Sequence, residues 1–205
     1  VRVLFEHMRP SDHRSRYWSY LPTEQPAGFG VQIQADFYLS NSRRNLALRP
    51  LHAGAASDDP AGWNAGLVEV AADCIIALWQ RPEVCVAADF WQVATPSACE
   101  CAHLKLAVAR RLWNENGKLF KTMTSLSFPP GGTWPLRRYR QLFTALYSWA
   151  DYAYQRLGRS PRVEQIRLLL GHVQDSGASV LPITMSGPQD EDTAAAPEIA
   201  RPLKK

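Results

Sequence analysis

The sequence predicts an α+β protein, a small mixed sheet from the N-terminal third packed against several amphipathic helices. Three observations carry this. Strand-like segments crowd the first forty residues, and helical periodicity follows them without returning to strands until the far end. Phe29, Val31, Ile33, Ala35 and Phe37 alternate with Gly30, Gln32, Gln34 and Asp36, nine positions of period two that place one face on a core. The chain has 205 residues, 46% hydrophobic and 20% charged, enough apolar material for a core of one domain or two small ones.

Taken in order, Val1-Arg2-Val3-Leu4-Phe5 reads as a strand from the first residue, and no Met precedes it; the chain is expected to be a piece of something longer. Arg9-Pro10-Ser11-Asp12 supplies turn residues before a second strand over Tyr17–Leu21. The alternating strand Phe29–Phe37 comes third. Residues 47–60 form a loop, and Asp59-Pro60 starts a helix, with Asp as cap and Pro in the first turn. Its apolar stripe is Trp63, Leu67, Val70, Ala71, Cys74, Ile75 and Leu78, and Arg81-Pro82 ends it. Trp63 is expected to staple the helix entry by packing, and Cys74 to face the core.

Thr95-Pro96-Ser97 opens the next predicted helix, with Ser97 and Glu100 at capping-box spacing. Leu104, Val108 and Leu112 are its apolar face, and Gly117 its C-cap. After Pro129-Pro130-Gly131-Gly132, the residues Leu136, Tyr139, Phe143, Leu146, Ala150, Ala153 and Leu157 recur at steps of three and four, a long helix closed by Gly158. A short helix from Ser160 to Leu170 and a strand over Val180–Ile183 follow. The domain reading is a strand-rich part over 1–100, a helical part over 101–185 and a disordered tail over 186–205.

Charge is uneven. Residues 1–99 carry 8 basic and 10 acidic groups, residues 100–170 carry 12 and 4, and residues 171–205 carry 3 and 5. The basic stretch contains Lys105, Arg110, Arg111, Lys118, Lys121, Arg137, Arg138, Arg140, Arg156, Arg159, Arg162 and Arg167. It reads either as a solvated helical face or as a surface for an anionic partner such as nucleic acid. The long helix could instead offer a stripe to another subunit, with Tyr147, Tyr152 and Tyr154 facing a partner. Cys74, Cys85, Cys99 and Cys101 are too sparse for a disulfide scaffold. Cys85, Cys99, Cys101 and His103 lie close in sequence, but no C-x-x-C pair starts a zinc site. Reduced thiols in a cytoplasmic setting are expected. No apolar run of spanning length and no secretory leader is read, so no membrane partner is expected. The five His residues assemble no Ser-His-Asp or Cys-His arrangement by spacing.

The densest chemistry lies where the alternating strand runs into Tyr38-Leu39-Ser40-Asn41-Ser42-Arg43-Arg44-Asn45-Leu46. A guanidinium is always charged, and its fork of donors matches phosphate or carboxylate. Asn41, Ser42 and Asn45 add neutral hydrogen-bonding groups. A strand delivering an arginine to a polar loop is what an arginine finger needs. The competing reading pairs Arg43 and Arg44 with Asp36, Asp58 or Asp59.

The run Leu21-Pro22-Thr23-Glu24, Gly28-Phe29, Ala35 to Leu46 and Trp63-Asn64-Ala65-Gly66-Leu67 resembles the sacsin family, in the part that follows a Bergerat-type (GHKL) ATP-binding domain. Asn41-x-Arg43 is also similar to the Asn-x-Ser-Arg-Glu motif on the middle domain of the ninety-kilodalton heat-shock chaperones. The resemblance covers roughly residues 17–80. Arg44 stands where the chaperone motif is acidic, and Ala47 where sacsin-like repeats often have Trp. It implies a fold similar to a chaperone middle domain, and a middle segment of a GHKL ATPase or chaperone. Arg43, with Arg44 as neighbour or substitute, would reach the γ-phosphate of ATP, with Asn41, Ser42 and Asn45 around it. ATP and Mg would be held mainly by an N-terminal ATPase domain outside this chain. Client proteins or a second copy are the further partners implied. The chain itself has no nucleotide pocket motif: Asp175-Ser176-Gly177-Ala178-Ser179 lacks the second Gly of Asp-x-Gly-x-Gly, and Glu115-Asn116-Gly117-Lys118 lacks the Gly that opens a P-loop.

Overall fold

The computed structural model describes residues 1–5, 15–51, 59–114, 118–129 and 132–158. Four strands form one mixed sheet: β1 (Arg2–Phe5), β2 (Arg16–Ser19), β3 (Leu21–Pro26) and β4 (Val31–Gln34). Their spatial order is β1-β4-β2-β3. β1 runs antiparallel to β4 with Val3 opposite Ile33, β4 parallel to β2, and β2 antiparallel to β3. The helices are α1 (Pro60–Trp79), α2 (Pro82–Cys85), α3 (Phe90–Val93), α4 (Ala102–Leu112), α5 (Lys118–Ser127) and α6 (Leu136–Leu157). The fold is α+β, as the order of strands and helices predicts.

The nine-residue alternation holds in burial but not in pairing. Phe29, Val31, Ile33 and Phe37 are buried, yet only Val31–Gln34 is strand. The reason lies at each end. Gly28, Phe29 and Gly30 all have positive φ, so the chain turns there instead of extending. Gly28 is required: a Cβ on it would come within 2.5 Å of the Cys99 Cα. At the other end the Phe37 N–H donates to the Ala35 carbonyl at 2.9 Å, a three-residue turn that leaves the sheet. The predicted strand Tyr17–Leu21 is likewise split, with Tyr20 at φ 61° turning β2 into β3.

Phe29 is where the layers meet. Its ring stands edge-on to Trp79 of α1 at 5.3 Å and stacks on Trp149 of α6 at 6.0 Å. Burying such a ring stabilises the fold by about 1.5–3 kcal/mol. Trp149 also donates its indole N–H to the Ala94 carbonyl at 2.8 Å, tying α6 to the end of α3.

Helix α1 starts as expected: Asp59 caps it by accepting from the Gly62 N–H at 2.7 Å. Its buried face is shifted from the predicted stripe. Asn64, Val68, Ala71, Ala72, Ile75, Ile76 and Trp79 are inside, while Trp63 is 53% exposed and Cys74 only partly buried. The helix is apolar nearly all round, so periodicity ranks its faces weakly; it packs on β1, α2 and, most extensively, on α4. Contrary to the reading of no spanning-length run, α1 has the length and apolarity of a membrane span, 20 residues with a hydropathy of 1.4. It carries Glu69 and Asp73, both paired to Arg111 of α4.

The capping box at Ser97 and Glu100 does not form. Pro96–Ala98 is a single 3₁₀ turn, the chain then extends through Cys99, and α4 begins at Ala102 with no side-chain cap. The Ala98 carbonyl is taken by the Phe29 N–H at 2.9 Å, which holds this stretch against the sheet. Leu104, Val108 and Leu112 are buried as expected. Helix α6 covers the predicted range and ends at Gly158 in the left-handed conformation, but its buried face is shifted from the predicted stripe: Leu142, Ala145 and Trp149 are inside, whereas Leu136 is exposed and Phe143 and Leu157 are half-buried. The expected C-cap Gly117, the helix from Ser160, the strand Val180–Ile183 and the tail 186–205 lie outside the described residues.

Candidate functional site: an arginine-bearing hairpin

Residues 38–47 fold back on themselves. Leu39 bridges Leu46 antiparallel, the Ala47 N–H donates to the Tyr38 carbonyl at 3.0 Å, and the Ser40 N–H to the Asn45 carbonyl at 2.8 Å. The Arg43 N–H closes a β-turn on the Ser40 carbonyl at 2.7 Å. Arg43 itself sits at φ 56°, a conformation that costs an ordinary L-residue about 1–2 kcal/mol. The five predicted site residues, Asn41, Ser42, Arg43, Arg44 and Asn45, are brought together at the tip, and all are exposed.

Three anchors fix the base of this hairpin. Leu46 is buried in the core. Gln25 of β3 accepts from the Leu46 N–H at 2.9 Å, and the Glu24 N–H donates to the Arg44 carbonyl at 2.8 Å, so the hairpin borders the sheet edge. Asn64 of α1 is fully buried: its Oδ1 accepts from the Tyr38 N–H at 2.9 Å, and its Nδ2 donates to the Tyr38 and Ala47 carbonyls at 2.7 and 2.9 Å. One amide thus spans both arms. Trp63, expected to staple the entry of α1 by packing, has its indole half out in solvent, where it donates to the Asp36 carbonyl at 3.0 Å. The signal for Asn64 was an amide beside an apolar helical stripe, since a buried polar group is more informative than an exposed apolar one.

The two arginines have different surroundings. Arg44 lies 3.5 Å from Glu24 in an exposed pair worth little. Asp59 is engaged by the Gly62 N–H and by Arg49, and these hold its carboxyl below the usual carboxylate range. Arg43 makes no ion pair and no side-chain hydrogen bond among the described residues. Its fork is available to an external anion. Ser42 is turned to Ser40, their hydroxyls 2.9 Å apart.

The tip holds guanidinium and amide groups in exposed positions, and a guanidinium matches a phosphate. Among the described residues no group of three or more His, Cys, Asp or Glu could hold a metal ion. A cleft of about 360 Å³ lies elsewhere, at the ends of α1, α4 and α5, lined by Asp73, Gln80, Arg111, Asn114, Lys118 and Thr122, and by none of the hairpin residues.

The basic stretch is partly consumed inside the molecule. Arg110 lies 3.3 Å from Glu69, Arg111 clamps Glu69 and Asp73, and Arg137 reaches Asp89 at 3.5 Å. Arg138 is buried, donates to the Cys85 carbonyl at 2.8 Å and lies over the Trp134 and Phe128 rings at 4.8 and 5.4 Å. The Cys85 thiol, pushed up to about 12 by burial, donates to the Trp79 carbonyl. The Cys99 thiol is raised further, again by burial. Buried, protonated thiols of this kind are inert.

No family model, no curated protein and no solved structure matches this chain.

Proposed function

We propose that this chain is the middle segment of a sacsin-like ATPase of the GHKL class, and that Arg43 contacts the γ-phosphate of ATP held by a domain on its N-terminal side. The observation that carries the reading is the hairpin: an exposed arginine without an ion-pair partner among the described residues, on a tip whose base is pinned by a buried amide. A finger needs a fixed root and a free end, and a guanidinium so held neutralises charge on phosphate oxygens during transfer. Arg44, paired with Glu24, is the neighbour or substitute of Arg43. Asn41 and Asn45 stand on either side of Arg43 in the exposed tip. Magnesium and the adenosine moiety belong to the other domain, in a cytoplasmic protein that acts on clients. The nucleic-acid reading of the basic helices is less favoured, because Arg110, Arg111, Arg137 and Arg138 are engaged internally.

The test is ATP turnover by the protein that includes the residues encoded upstream of Val1. Arg43→Ala should lower turnover by about a hundredfold or more with the thermal melt intact, and Arg44→Ala by far less. Unchanged turnover in Arg43→Ala, or an upstream sequence without a nucleotide pocket, would overturn the proposal.

A further inference from the structure

Helix α6 buries one face in the core, through Tyr139, Leu142, Leu146, Trp149 and Ala153. A second stripe runs beside it. Leu136 is 60% exposed, Tyr147 39% and Tyr154 63%, and Phe143 is half-buried. These four positions are separated by two turns, one turn and two turns, so they share one narrow face about 27 Å long. Two exposed charges lie in the same stripe. Arg140 falls between Leu136 and Phe143, and Asp151 between Tyr147 and Tyr154. Arg140 makes no ion pair among the described residues, and Asp151 accepts a hydrogen bond from Gln155 on its own helix at 2.8 Å.

The stripe is close to palindromic about residue 145. Laid antiparallel on a second copy of itself, it sets Leu136 opposite Tyr154 of the second copy and Phe143 opposite Tyr147. Arg140 then faces Asp151, and two-fold symmetry makes each of these contacts twice. A parallel pairing would instead set Arg140 against Arg140 and Asp151 against Asp151. The charges therefore both favour one arrangement and oppose the other. We infer that α6 is the self-association surface of this protein, joining two copies through an antiparallel α6 pair. A single helix stripe of this length lies at the small end of specific interfaces, so the dimer forms in the micromolar range.

The experiment is sedimentation equilibrium of the 205-residue chain across the micromolar range. A monomer–dimer equilibrium is expected. Arg140→Asp and Asp151→Arg should each weaken it about tenfold or more, because each places like charges opposite one another twice. The double variant R140D/D151R should recover the parent constant to within about threefold, as complementary pairs return in swapped positions. Both sites are exposed, so circular dichroism melts should stay unchanged; if either variant fails that check, Tyr154→Lys replaces it and should weaken the dimer. A chain that stays monomeric throughout, or a dimer indifferent to these changes, would overturn the inference. Neither result bears on Arg43.

Discussion

Replacing Asn64 by Ala should cost more than any other single change near the hairpin. Asn64 makes three hydrogen bonds from a fully buried position. Two backbone groups lose their partner outright: the Tyr38 N–H and the Ala47 carbonyl. The Tyr38 carbonyl keeps the Ala47 N–H at 3.0 Å. An orphaned buried polar group costs about 1–3 kcal/mol, so Asn64→Ala, which orphans two, should destabilise by about 2–6 kcal/mol, a large share of a typical ~5–15 kcal/mol total. For a chain of this size, at about 2–4 °C per kcal/mol, that lowers Tm by at least about 4 °C. Urea unfolding followed by tryptophan fluorescence would measure it, and amide exchange at Tyr38 and Ala47 would locate it. Asn64→Asp separates the roles: a carboxylate can accept from Tyr38 but cannot donate to either carbonyl, and its charge is buried, so it should be at least as damaging at neutral pH. Trp63→Ala is the control, losing one exposed bond and less than ~1.5 kcal/mol. The reasoning fails if Asn64→Ala lies within about 0.5 kcal/mol of the parent, or if Trp63→Ala is the worse of the two.

Gly28→Ala should destabilise by about 2–5 kcal/mol, from its positive φ and from the clash with Cys99, and a melt unchanged from the parent would refute the close packing at that turn. Arg43→Gly should be neutral or stabilising by up to about 1 kcal/mol in urea, because Gly relieves the left-handed strain at the tip; a loss above that range would mean the side chain holds the fold together. Asp73 has its pKa lowered, first by the hydrogen bond from Arg111. A depressed folded value means stability present above the unfolded pKa of an ordinary Asp and lost as pH falls through the folded value. Unfolding midpoints should therefore drop on acidification below about pH 4, and Asp73→Asn should flatten part of that drop. Arg138→Ala should cost about 2–4 kcal/mol through lost packing on Trp134 and Phe128, while Arg138→Met should recover much of it, since no carboxylate among the described residues depends on the charge.

The long elements were legible because strong periodicity and punctuation agreed. Helix α6 carries a stripe from Leu136 to Leu157 and a Gly at φ 60° after it, and α1 begins at an Asp-Pro pair that caps it. The shorter pieces were not. Helices α2 and α3 have four residues each, too few for a period, and their apolar side chains are placed by tertiary contacts with α5 and α6. The turn at Gly28–Gly30 runs into the start of a perfect alternation, so period two concealed the positive φ of Phe29 and Gly30. The absent capping box at Ser97 has the same origin: Cys99 must lie over Gly28, and that long-range contact overrides a local helix start.

The arginines show most clearly what local pattern cannot rank. By residue type Arg43, Arg44, Arg111 and Arg138 are equivalent, and two of them are adjacent in the chain. Their fates are set by what the fold brings opposite each one. Arg111 meets two carboxylates from α1 and is held charged well beyond its ordinary range by Asp73 and Glu69. Arg138 meets a carbonyl and two aromatic rings, so its burial works against its charge. Arg44 meets Glu24 because β3 runs beside the hairpin. Arg43, at the exposed tip of the turn that its N–H closes on Ser40, meets no acid among the described residues. The candidate role of Arg43 therefore rests on the turn rather than on the Arg-Arg pair itself. A variant that keeps both arginines but reshapes the turn, such as Ser42→Pro, should disturb phosphate contact as much as Arg43→Ala does. If it did not, the presentation of the side chain would have no part in the function proposed.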